Sequence, residues 1–328
     1  MRQYAERASR PAGAWAAVAV LAAAAVLHTA PAPAHESHRH RVRDEERAAI
    51  VAADAAQSRH EFAEARERLD ALLAVEPRDL EARLMSANLA LLSGDFHRAR
   101  DDCRAVIGQG NLHAGTICLA SAQTGTGSVG RARGMIAALG APGRAGVELD
   151  RWRLLTEADL ALRADDLPAA LELHERAHAL DPDHEEARTR LAALLLDLGA
   201  ARRALDLALA PGASPARLVI QVRAATALAD PAAPAYRRAL LETLATDRRR
   251  GLPAHLREEA QVALHVDRDA GEALRLARLN FVTQKDTPDL RVLAGAAAAA
   301  ADPAAAGEIR AWMLGSGFED HWVSATLE

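Results

Sequence analysis

His174-Glu175-Arg176-Ala177-His178 has the residue types and spacing of a helical metal-hydrolase centre. Imidazoles at i and i+4 share one face of a helix, where they can bind zinc. The glutamate between them is placed to take a proton from a metal-bound water. Asp181 and His184 extend the run to H-E-x-x-H-x-x-D-x-x-H, in which His184 would be the third ligand. A second cluster, His35-Glu36-Ser37-His38-Arg39-His40, directly follows Ala34. If the chain were cut after Ala34, the new terminal amine and the His35 imidazole could chelate copper, with His38 or His40 close by. The competing reading is a solvated, disordered leader ahead of the first helix.

Other chemistries find no template. The single lysine, Lys285, does not follow a glycine, so there is no phosphate loop of the G-x-x-x-x-G-K-[ST] type. There is no G-x-S-x-G nucleophile elbow and no C-x-x-C pair. Gly125-Thr126-Gly127 reads as part of a turn between helices.

The elements that would carry these residues repeat. A small residue recurs at Ala65, Ala99, Ala132, Ala170, Ala204, Ala239, Ala273 and about Ala306, at steps of 34, 33, 38, 34, 35, 34 and 33 residues. A fixed period in this range marks stacked helical hairpins. Gly94-Asp95-Phe96, Gly127-Ser128-Val129 and Gly199-Ala200-Ala201 each supply a glycine where a helix must end left-handed. Ser214-Pro215, Asp230-Pro231, Thr287-Pro288 and Asp302-Pro303 pair a capping residue with a first-turn proline, and mark helix starts in the last third. One hairpin cannot bury its apolar stripe alone, so stability accumulates along the stack.

With these residues the chain resembles the tetratricopeptide repeat family, whose second helix and closing turn read A-x3-F-x2-A-x4-P. Ala158, Ala170, Ala177 and Pro182 stand at its small and proline positions, and Ala87, Gly94, Phe96 and Ala99 fit the pattern two repeats earlier. Leu191, Ala192, Gly199 and Ala204 continue it until Pro211-Gly212 cuts the second helix short. The family's large aromatics are mostly replaced by Leu and Ala, in keeping with 3% aromatic residues. The resemblance implies an all-α solenoid, a right-handed superhelix of antiparallel hairpins with first helices on its inner surface. It covers 46–210 most clearly, with divergent repeats and a C-terminal cap over 211–328. In this register Ala177 and Pro182 are repeat positions, and His174 takes a slot that is normally aromatic and packed. Metzincin proteases, which share the histidine spacing, carry a glycine where this chain has Asp181, and a Met-turn. Here the downstream region has no Met before Met313. The reading is therefore structural, with a metal site at His174, His178 and His184 as the alternative.

The repeat frame also places Cys103 on one second helix and Cys118 on the next first helix. These helices pack together, so a disulfide is expected, closing a loop worth roughly 3 kcal/mol in the chain-entropy model. In the family, peptides bind the concave face through first-helix positions five and nine. Here the fifth positions include Leu84 and Thr189, and the ninth include Asp54, Asn88, Ser121 and Asp159. That is an apolar row beside a neutral-to-acidic one, suited to an extended partner with apolar and basic character. The cations with which chaperone adaptors of the family clamp a carboxylate are missing. Trp152 on the same side is either a partner anchor or ordinary packing between hairpins.

Arg2, Arg7 and Arg10 precede an apolar run from Gly13 to Leu27, and Ala32-Pro33-Ala34 offers a small-x-small cleavage site. This describes a signal peptide over 1–34, followed by a His-rich disordered leader over 35–45. The run is shorter than the roughly 20 residues of a membrane span, though an uncleaved anchor is the alternative. A net charge of −5 and few aromatics exclude a nucleic-acid face. The expectation is an exported bacterial, non-enzymatic scaffold, periplasmic or secreted, without cofactor or small-molecule substrate. Its partner would be another envelope protein, with no stable membrane span after cleavage. The alternative is a zinc-dependent hydrolase or a metal-binding envelope protein.

Overall fold

The computed structural model describes residues 33–123, 128–140, 143, 146–210, 214–252 and 254–328, with side chains from 46 onward. Among these the chain is all helix and turn. Helices pair as α1 (Pro33–Ser58) with α2 (Phe62–Val75), α3 (Leu80–Ser93) with α4 (Phe96–Gly108), and α5 (Leu112–Gln123) with α6 (Val129–Ala137). The stack continues with α7 (Val147–Arg163) and α8 (Leu167–Leu180), then α9 (Glu185–Asp197) and α10 (Ala201–Ala208). Next come α11 (Pro215–Ala227) with α12 (Ala233–Arg249), α13 (Leu256–Val262) with α14 (Ala270–Thr283), α15 (Thr287–Ala299) with α16 (Pro303–Ser316), and a terminal α17 (His321–Thr326). Second helices also pack on the next hairpin's first helix; α13 instead rests chiefly on α11 and α14, and is prolonged by a π-helical turn at Ala263–Asp267. No helix of the described residues is long and apolar enough to cross a membrane.

The periodic alanines fall on α2, α4, α6, α8, α10, α12, α14 and α16, the second helix of every hairpin. Ala65, Ala99, Ala132, Ala170, Ala204 and Ala273 are fully buried. A methyl group there lets two helix axes approach closely enough for ridges to enter grooves. The register drifts late: Ala239 is half-buried, and in α16 the buried residue is Ala305 rather than Ala306.

Asp79, Asp95, Asp166, Ser214, Asp269 and Asp302 cap their helices by accepting a backbone N–H three residues on. Gly94 and Gly199 turn left-handed at φ 79° and 80°. Two starts differ from expectation. Asp286, not Thr287, caps α15, in a reciprocal box with Asp289. Asp230 precedes a turn rather than α12, which begins at Ala233 because Pro234 is the first-turn proline. The backbone helix α1 starts at Pro33 and runs through residues 35–45. That stretch contains no Gly or Pro to interrupt a helix.

The far end of the solenoid folds back onto its beginning. Phe96 at the start of α4 shares a core with Leu274, Leu290, Leu293, Ile309 and Phe318. Its ring lies 5.7 Å from Phe318 and 6.4 Å from Trp312. The Lys285 N–H donates to the Leu92 carbonyl at 2.7 Å, and Gln284 Nε2 reaches the His60 ring at 2.9 Å. Further along, Arg163 Nε–H donates to Thr287 Oγ1 at 2.9 Å, Arg291 to the Leu162 carbonyl at 2.8 Å, and the Val129 N–H to Glu319 at 3.1 Å. The loop into α15 and the α16–α17 corner thus lie against α2–α7.

Candidate functional site

The histidine motif does not assemble into a metal centre. His174 on α8 is 2% exposed, and burial first, then the positive charge of Arg190, hold its imidazole down to about 4. It is a neutral core ring, as the repeat register implies. Glu175 faces outward and pairs with Arg203 at 2.8 Å, so it cannot serve a water between the histidines. His184 is the N-cap of α9, its Nδ1 accepting the Ala187 N–H at 3.3 Å. His178 is half-buried, its pKa lowered by burial and then by Arg188. Among the described residues no three His, Cys, Asp or Glu are grouped to hold a metal. The zinc alternative is corrected on the geometry of its own ligands. The side chains of His35, His38 and His40, and Gly125-Thr126-Gly127, lie outside the described residues, as does nearly all of the segment 1–34 expected to be a signal peptide.

The groove residues divide into three groups. Asp54 on α1 and Asn88 on α3 stay accessible. Partial burial raises the Asp54 carboxyl; Glu81 nearby is raised by burial and then by the carboxylates of Asp79 and Asp54. This corner is acidic. Leu84 and Trp152 form the second group. Leu84 is 6% exposed and belongs with Trp152 to the cluster around Cys103 and Cys118, so it is core rather than groove wall. Trp152 is half-buried there, the packing outcome. The third group is engaged within the chain. Ser121 Oγ–H donates to the Ile117 carbonyl, and Thr189 Oγ1–H to Glu185. Asp159 pairs with Arg163 at 3.0 Å, and Arg163 in turn holds Thr287 and lies 4.0 Å over the Phe318 ring. At the Asp159–Arg163 end of α7 the chain therefore meets the returning C-terminal helices, which the repeat pattern alone does not show.

Beside this seam lies a buried ionic knot. Arg257 contacts Glu258 at 3.3 Å and Asp289 at 3.4 Å, with Asp286 at 3.7 Å, while Asn280 Nδ2–H donates to Asp289 at 2.7 Å. Burial and then the neighbouring Asp286 charge push the Asp289 carboxyl well above its usual range. For Asp286 burial opposes ionisation, but Arg257 and hydrogen bonds with Asp289 hold it below that range. Two carboxyls this close favour keeping one proton between them. The available sequence signal was the unusual density of Asp286, Thr287 and Asp289 about a proline.

No protein-family model and no curated protein matches the chain. A solved structure described as "Functional Characterization of Pseudomonas Aeruginosa pilF" is similar at 16% identity and a TM-score of 0.44, over 62% of this chain and 93% of that one. Likeness at that level carries no functional argument; the hairpin stack itself decides the architecture. The fold is tetratricopeptide-like. The disulfide expected from the repeat frame is present, joining Cys103 on α4 to Cys118 on α5 with Cα atoms 5.5 Å apart.

Proposed function

We propose that the protein is an exported, non-enzymatic scaffold that holds a segment of another envelope protein against the open part of its inner face. The observation that carries this reading is the accessible acidic corner of Asp54, Glu81 and Asn88 on the first two hairpins, beside surfaces that the chain closes on itself. An extended segment with basic and apolar residues complements that corner in charge. The fold alone is compatible with many functions, so the argument rests on this surface. Asp54→Arg with Asn88→Arg should abolish capture of the partner from a native envelope extract while the melting temperature stays within about 2 °C. Undiminished capture would move the binding surface elsewhere.

Export is supported by the leader composition and by a disulfide, a bond that persists in oxidising compartments. The mature protein is expected to begin at His35, which intact-mass measurement on envelope-derived material reads directly. A chain retaining Met1 would favour the uncleaved anchor.

A further inference from the structure

At the edge of the seam core, α14 and α16 enclose a half-open cavity of about 240 Å³. Its walls are apolar: Phe281 and Trp312 meet edge to face at 5.0 Å, with Leu293 and Ile309 beneath them. That volume is below the ~300–1,000 Å³ of sites for whole small molecules. It suits one large side chain. The charges on its rim are unequally matched. Arg278 pairs with Glu308 at 3.1 Å and with Asp302 at 3.4 Å. Among the described residues Lys285 pairs with no carboxylate; its ammonium donates to the Val282 carbonyl at 2.9 Å and stands 6.0 Å from the Phe281 ring centre. An ammonium has three donors, so capping this helix end leaves two for a ligand. Burial lowers the Lys285 pKa, and a carboxylate beside the ammonium would favour its charged form. Beyond the cavity the apolar surface continues along α14 through Val282, 70% exposed, and Leu279, 48% exposed. That strip is more than a free small acid would cover.

We propose that this pocket binds a polypeptide segment of a partner in which a large apolar or aromatic residue stands next to a glutamate or aspartate. The ring or branched chain fills the cavity, the carboxylate accepts from Lys285, and a second apolar residue lies along Val282 and Leu279. The site is separate from the inner face and does not depend on the reading given to it.

The test uses the full mature protein and a blocked tetrapeptide of leucine, glutamate, phenylalanine and leucine, titrated calorimetrically. The peptide should bind, and its glutamine version should bind at least tenfold more weakly. Lys285→Met keeps the stem that packs on Gly94 and should cost a similar factor. Val282→Glu, at an exposed position, should weaken binding without changing the melting temperature. The Asp54→Arg, Asn88→Arg protein should bind the peptide normally, which separates this site from the inner face. Absence of binding, equal binding of the glutamine peptide, or indifference to both pocket variants would overturn the proposal. So would 3-phenylpropanoate binding as tightly as the peptide, which would make the site one for a free aromatic acid.

Discussion

Two seams hold this molecule together, and they are built on opposite principles. At the first, α4 and α5 meet through Cys103 and Cys118, 15 residues apart in sequence, in a cluster whose members are all non-titrating. The approach is close because Gly115 has no side chain: a Cβ there would stand 2.5 Å from Ile107 Cγ1. At the second, partners 124 to 224 residues apart meet through an aromatic cluster flanked by polar bonds, with the Arg257 knot beside it. The first seam sets the angle between neighbours and is locked covalently. The second closes the row of hairpins and depends on reversible contacts. Opening the second should leave the first intact, whereas losing the first should loosen a joint without opening the row.

The sharpest way to break this contrast is Phe96→Ala. It empties the centre of the closing cluster and should cost about 3–5 kcal/mol, read by urea denaturation. Small-angle scattering should show a larger radius of gyration, since the C-terminal helices lose their anchor. An unchanged radius would mean that the polar bonds alone keep the row closed. Cys103→Ala with Cys118→Ala should cost about 3 kcal/mol through the lost cross-link, with the radius unchanged. Expansion in that variant would merge the two seams into one.

Acid should act on the second seam alone, with the smallest effect. The His60 ring, which receives the Gln284 amide, has its pKa lowered by burial and then by the charges of His255 and Arg257. A base whose pKa is lower folded than unfolded binds more protons when unfolded. Its stabilising contribution is therefore complete above about pH 6.5 and is lost as pH falls toward the folded value. Hydrogen exchange at the Lys285 amide should accelerate on going from pH 7 to 5, after correction for the intrinsic rate. The amides of Cys103 and Cys118 should not respond. His60→Gln should remove the difference.

The first seam was legible in the sequence because it is local. A period near 34 residues, a buried methyl in each second helix and two cysteines on adjacent helices define it. The second was not, because nothing in the spacing of Phe96 or Phe318 says that they touch. The glycine rule for turns also saw only some of them. His60, Asp165, Ala229, Arg268 and Ala301 adopt positive φ at turns where the pattern would have called for glycine. Tertiary packing bears that local strain, which side-chain type does not announce. At the candidate site, Asp54 and Asn88 are polar positions that the chain leaves accessible. Leu84 was misplaced because a hydrophobic residue at a family contact position serves equally well as core. The role of Lys285 was invisible, since an unmatched cation is defined by which carboxylates fail to reach it.

An open row of repeats has two ends, and heat or denaturant ordinarily frays it from either one. Here the loop into α15 is hydrogen-bonded to Leu92 and the α1–α2 turn, so the first and last hairpins of the described residues are tied to one another. The chain should melt in a single concerted step rather than repeat by repeat. The same closure lengthens the average sequence distance between touching residues, which slows refolding relative to an uncapped array of equal size.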